Sequence, residues 1–171
     1  MSGPNQSGSA ARAPEVRLLP AQLPATALPK PTAAGPSLDP KVVIGLDDAR
    51  LQPMWHDFDL SPHMLIFGDA ETGKTNLLKH IARSITSHFS PDEAKIVFGD
   101  FRRELYDTVP QEYLTGYSVA TDALGATLKE TAATLKDRVP GNDITPDRLP
   151  RRDWWTGHRV FVLVDDFELA E

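Results

Sequence analysis

Met64-Leu65-Ile66-Phe67-Gly68-Asp69-Ala70-Glu71-Thr72-Gly73-Lys74-Thr75 is the stretch on which the reading of this chain turns. Four apolar residues in a row, closed by a glycine, read as a fully buried strand of a parallel sheet. Residues 68–75 then fit the pattern G-x-x-x-x-G-K-T. Leu77, Leu78, Ile81 and Ile85 follow at helical spacing, which predicts a helix from Lys74 to about Phe89, stopped by Ser90-Pro91. Strand, glycine loop and helix together form the context in which this pattern means phosphate binding. Gly68 and Gly73 permit backbone conformations that a Cβ forbids. The loop N–H groups can then point inward around a phosphate, helped by the positive end of the helix. The Lys74 ammonium can reach β- and γ-phosphates, and the Thr75 hydroxyl can ligate Mg²⁺. The expected ligand is ATP or a close relative with Mg²⁺. It would be held by Gly68, Asp69, Ala70, Glu71, Thr72, Gly73, Lys74, Thr75 and Asn76. The competing reading is a glycine-rich turn without a ligand.

A second motif lies near the other end. Val160-Phe161-Val162-Leu163-Val164 is another buried strand, ending at Asp165-Asp166. An acidic group at the tip of a buried strand, in a chain that also carries a phosphate loop, is the Walker B pattern. Asp165 is the expected second Mg²⁺ ligand, through water. Asp166 takes the position where many such ATPases place a glutamate that polarises the attacking water. Aspartate is one methylene shorter, and water positioning is sensitive to geometry. Hydrolysis is therefore expected to be slow or absent.

Further strands are expected over 42–46, over roughly 51–60, and over 94–99. A second helix is expected from Ala120 to Val139, with Leu124, Leu128, Leu135 and Val139 on one face and Pro140-Gly141-Asn142 ending it. Strands alternating with helices imply an α/β fold with a mostly parallel sheet flanked by helices. Residues 1–40 hold eight of the fifteen prolines, mixed with Ala, Ser and Gly, and read as a linker ahead of a domain over 41–171. Within it, Val16-Arg17-Leu18-Leu19-Pro20, Leu23-Pro24 and Leu28-Pro29 space apolar residues as a strap against a neighbouring domain would, or as a loose tail.

Bulk composition excludes several classes. A chain of 171 residues with 40% hydrophobic content can form one cored domain. With no cysteine, disulfides, thiolate zinc sites and cysteine nucleophiles are excluded. Five histidines without ligand spacing give no metal site beyond Mg²⁺. A net charge of −6 argues against a broad nucleic-acid surface, although a local patch can hide in an acidic total. No apolar run approaches the ~20 residues that span a bilayer, and the start is unlike a signal peptide. Asp100, at a strand end, either approaches the site or caps a turn. Arg102 and Arg103 are either a solvated pair or a finger for a neighbouring subunit's nucleotide. Trp154-Trp155, after Arg151-Arg152, read as half-buried packing at the foot of the last strand, with partner binding as the alternative.

The residues 68–78, Gly68 to Leu78, are similar to the P-loop of EccC proteins, the FtsK/SpoIIIE-type ATPases of actinobacterial type VII secretion. Val43-Ile44-Gly45-Leu46-Asp47, Asp100-Phe101-Arg102-Arg103, Trp154-Trp155-Thr156-Gly157 and Val164-Asp165-Asp166-Phe167-Glu168-Leu169 resemble further EccC segments, and 16–29 resembles the linker between consecutive modules. The resemblance covers roughly 15–171. It implies a P-loop NTPase of RecA-like, FtsK type, working as an ATP-binding module that couples nucleotide to protein export. It also implies partners: other ATPase modules of the same or neighbouring chains, the secretion membrane complex, and small helical Esx/WXG100-type substrates. The place would be cytoplasmic, at the inner face of the membrane through those partners. Such modules often bind nucleotide with imperfect catalytic residues, which suits Asp166.

The chain departs from that family after Asp166. In the RecA-like order 5-1-4-3-2 a fourth strand lies between the P-loop strand and the Walker B strand, and its tip carries the γ-phosphate sensor. Neither is expected within these 171 residues. The expectation is a fold incomplete at its C-terminus, with two unpaired edges and weak catalysis. A DNA-translocase module, a non-hydrolysing nucleotide-gated binding module and, remotely, a small-molecule kinase are the alternatives.

Overall fold

The computed structural model describes residues 18–29, 41–149 and 154–170. Most of the expected linker, Val16, Arg17, Arg151 and Arg152 lie outside them. In 18–29 a short 3-10 turn spans Ala25–Ala27, and Leu18, Leu19 and Leu23 are exposed.

The chain first forms an antiparallel hairpin, β1 (Lys41–Leu46) against β2 (Pro53–Asp57), with an irregular register between Val43 and Gly45. Helix α1 (Lys74–His88) follows, then β3 (Ala94–Asp100), β4 (Leu114–Ser118), α2 (Thr121–Leu135) and β5 (Arg159–Asp165). The three later strands form one parallel sheet in the order β4-β3-β5. Its middle strand, Ala-Lys-Ile-Val-Phe-Gly-Asp, is buried at all but one position, as a strand covered on both faces must be.

The two helices cover opposite faces. Ile96 and Phe98 join Leu78, Ile81, Ala82 and Ile85 of α1 in the main core cluster, together with Val42, Phe89 and Leu163. Gly99, one residue on, faces α2: a Cβ there would lie 2.9 Å from a Leu124 methyl. α1 also touches β1, where His80 Nε2 bonds the Val43 carbonyl at 2.7 Å. The helix ends where Phe89 turns extended, and Glu93 accepts from Ser90 N–H and Oγ at 2.8 Å each.

Several expectations need correction. Residues 64–67 form no strand and sit in no sheet. Met64 and Ile66 pack on the core, whereas Leu65 and Phe67 are 74% and 87% exposed. A strand needs a ladder partner on at least one edge, and none is supplied among the described residues. β5 likewise pairs only with β3, so Val162 is 45% exposed where full burial was expected. α2 stops at Leu135, a 3-10 turn continues it over Lys136–Arg138, and Val139 is exposed. Only Leu124 of the expected apolar face is buried. Strand β4 was not foreseen. Its sequence, Leu-Thr-Gly-Tyr-Ser, is too mixed for an apolar run, and its place comes from pairing with β3.

Candidate functional site

The 68–75 loop leads into α1 through Gly73, whose φ of 93° suits glycine. Glu71 also has a positive φ, 62°. A Cβ at Gly68 would come within 2.6 Å of Thr72 Oγ1 and would displace that hydroxyl. That hydroxyl donates to the Asp69 carbonyl at 2.8 Å. Lys74 folds back over the loop, its Nζ donating to the carbonyls of Gly68 and Asp69 at 2.8 Å each. The ammonium therefore lies against the backbone of its own loop. Asp69, Ala70, Glu71, Thr72 and Asn76 are exposed.

One hydrogen bond ties this loop to the far strand. Thr75 Oγ1 donates to Asp165 Oδ2 at 2.7 Å, across ninety residues of sequence. Asp165 is buried at the tip of β5, in register with Asp100 at the tip of β3. A hydroxyl and a carboxylate side by side are a hard oxygen donor pair. That fits Mg²⁺, which takes one or two protein oxygens and completes its shell with phosphate and water. Among the described residues no cluster of three His, Asp or Glu side chains offers another cation site.

Asp166 follows in a left-handed conformation, φ 50°, with a nearly buried side chain. Burial raises its carboxyl above the usual range and the neighbouring Asp165 adds to this, while Arg102 acts in the opposite direction. Arg102 Nε lies 2.7 Å from Asp166 Oδ2. Of the pair expected to be solvated or to serve another subunit, Arg102 is solvent-exposed yet bridges within the chain to Asp166, a contact that sequence reasoning missed. Arg103 lines a concavity of about 440 Å³ with Tyr106, Tyr117 and Val119.

Asp100 settles as a turn cap. Fully buried, it accepts from the N–H groups of Glu104 and Leu105 at 2.9 and 2.8 Å and from Tyr117 Oη at 2.8 Å. At the opposite end of the sheet Trp154 Nε1 donates to the Arg138 carbonyl at 2.9 Å, and the Arg138 guanidinium stacks 4.8 Å from the Trp155 ring centre. Both tryptophans are half-buried packing, as read. Neither the concavity of about 330 Å³ lined by Arg138, Trp154 and Trp155 nor the one beside Tyr117 is lined by the 68–75 loop, which lies open on the surface.

Comparison with known proteins bears out the EccC resemblance. No protein-family model matches the chain. It is 38% identical over 158 residues to the ESX secretion system protein EccC of Thermomonospora curvata, covering 92% of this chain and 12% of that protein. It is 35% identical over 165 residues to the ESX-1 secretion system protein EccCb1 of Mycobacterium tuberculosis, covering 92% and 28%. Among solved structures, the cytoplasmic domain of the T. curvata type VII secretion ATPase EccC matches with a TM-score of 0.81 at 38% identity, over 91% of this chain and 18% of that one. T. curvata EccC ATPases 2 and 3, in complex with a signal sequence peptide, match with the same score over 94% and 28%. The fold is that of an EccC ATPase domain, a P-loop NTPase. The chain spans only a minor part of each relative's length. Those relatives are named for secretion and for ATPase activity, so the DNA-translocase and non-cycling alternatives are not favoured. Among the described residues no helix is long and apolar enough to cross a membrane.

Proposed function

We propose that this chain, a relative of the EccC ATPase domains, is a nucleotide-binding module of a type VII secretion ATPase. ATP phosphates rest on the backbone of 68–76 and on Lys74. Thr75 and Asp165 share Mg²⁺, which when bound neutralises phosphate charge. Asp166 stands one residue beyond the metal pair, where a carboxylate can orient a water. The observation that carries the reading is the Thr75–Asp165 bond of 2.7 Å, because it joins the two motifs into one site. Residues 1–40 are taken as linker and 41–171 as the module. Partner modules, a membrane complex and exported proteins bearing a signal sequence are the expected associates. The place of work is the inner face of the membrane, reached through those partners.

Binding of a fluorescent ATP analogue in the presence of Mg²⁺ tests the site. Lys74→Ala should weaken affinity about 10- to 100-fold, the loss expected when a charge-assisted bond worth about 1.5–3 kcal/mol is removed. Equal affinity in wild type and K74A would remove the phosphate reading. Circular dichroism should show both proteins folded alike, since Lys74 contributes nothing to the buried core.

A further inference from the structure

The phosphate site leaves one contact unexplained. Arg102 reaches from the β3 end of the sheet to the carboxylate next to the metal pair, at 2.7 Å. Arg102 is held in place by its turn. Asp100, fully buried, clamps the residues that follow by accepting from Glu104 and Leu105 N–H, and Arg103 N–H bonds the Asp100 carbonyl at 3.1 Å. Arg103 itself is left-handed at φ 60°. Arg102 thus projects from a built turn, at the level where β3 and β5 pair Asp100 with Asp165.

Asp166 is also constrained. It makes the left-handed step between β5 and the 3-10 turn Phe167–Ala170, and its carbonyl accepts from Leu169 N–H at 2.8 Å. Its side chain is 11% exposed, whereas that of Arg102 is 60% exposed. One partner is enclosed and the other reachable from solvent. Lys74 meanwhile bonds its own loop.

We propose that Arg102 is a positioning residue, a latch that turns the Asp166 side chain toward the β3 turn and must let go before Asp166 can orient a water. The proposal rests on the role given to Asp166 above. With Oδ2 held by the guanidinium the Asp166 carboxylate is no longer free to rotate, so its other oxygen cannot be turned onto a water in line with a phosphate. Because Arg102 is open to solvent, an anionic group arriving at this face competes for it. The device is therefore an inhibitory contact that the nucleotide-bound or assembled state would break.

The test compares the full chain with Arg102→Ala, Arg102→Lys and the double variant Arg102→Ala with Asp166→Ala. Without nucleotide, the backbone ¹³C and ¹⁵N resonances of Asp166 and Phe167 should leave their wild-type positions in R102A and stay near them in R102K. With Mg²⁺-ATP, R102A should raise turnover about two- to fivefold, the range that release of one solvent-exposed ion pair allows. Affinity should stay unchanged, and the gain should vanish in the double variant. Unmoved resonances in R102A overturn the latch whatever the turnover. A fall in turnover at unchanged affinity also overturns it and makes Arg102 an aid to hydrolysis. Moved resonances with no gain in turnover leave the contact standing and overturn the role of Asp166.

Discussion

Replacing Asp100 by alanine removes two acceptor oxygens and three hydrogen bonds at once, and the cost can be worked out donor by donor. The N–H of Leu105 lies on a residue with no exposure, so it is left without water or protein. An orphaned buried donor costs about 1–3 kcal/mol. The N–H of Glu104 and the Tyr117 hydroxyl sit nearer solvent and can recover part of their loss, roughly 0.5–1 kcal/mol each. The sum is about 2–5 kcal/mol, a large share of a domain's stability. Asn keeps one carbonyl oxygen but opposes an N–H₂ to a donor on the other side, so D100N should cost about half as much. Urea unfolding followed by circular dichroism reads this directly. With a slope of about 2 kcal/mol per molar, the midpoint should fall about 1–2.5 M in D100A. An internal check comes from Tyr117, whose phenol is pushed up to about 12 by burial first and then by its bond to Asp100. In D100N its absorbance titration should move back toward 10 without reaching it, because burial remains. A D100A midpoint within about 0.3 M of wild type, or an unmoved Tyr117, would refute the account of the turn.

Three further outcomes are expected. Gly99→Ala forces a Cβ to 2.9 Å from Leu124 and 3.1 Å from Val164 and should destabilise by about 1–3 kcal/mol, whereas Gly125→Ala, in open space within α2, should stabilise by up to ~1 kcal/mol; paired thermal melts check both. Thr75→Ala and Asp165→Ala should each make nucleotide affinity insensitive to added EDTA, measured by fluorescence titration with and without Mg²⁺. Tyr117 makes stability pH-dependent at the alkaline end: its folded-state pKa is raised, so its contribution is full below pH ~10 and lost as pH rises toward 12, and urea midpoints in Tyr117→Phe should fall less over that window.

The phosphate loop, α1, β3 and β5 were legible because each is specified locally. A glycine pair at fixed spacing, an apolar stripe with a 3.6-residue period and an unbroken apolar run each report backbone geometry or two-sided burial within a dozen residues. The strand expected over 64–67 shows where that inference stops. Its side chains announce burial on both faces, but a strand exists only by pairing, and the pairing edge depends on other segments. β4 shows the converse, a weak sequence placed by the edge of β3.

From the sequence alone came the proposed kind of site: residues 68–76 for phosphate, Thr75 and Asp165 for a hard cation, Asp166 beside them. Those assignments follow from functional groups and from short spacings, which any fold that forms must respect. The tertiary structure alone decided which partners those groups meet. It put Thr75 against Asp165 across ninety residues, gave Asp100 three donors in its own turn and from Tyr117, and turned Arg102 onto Asp166. Contacts between sheet tips depend on strand order and register. Those are settled by how helices and strands pack, and no local stretch of chain carries that information.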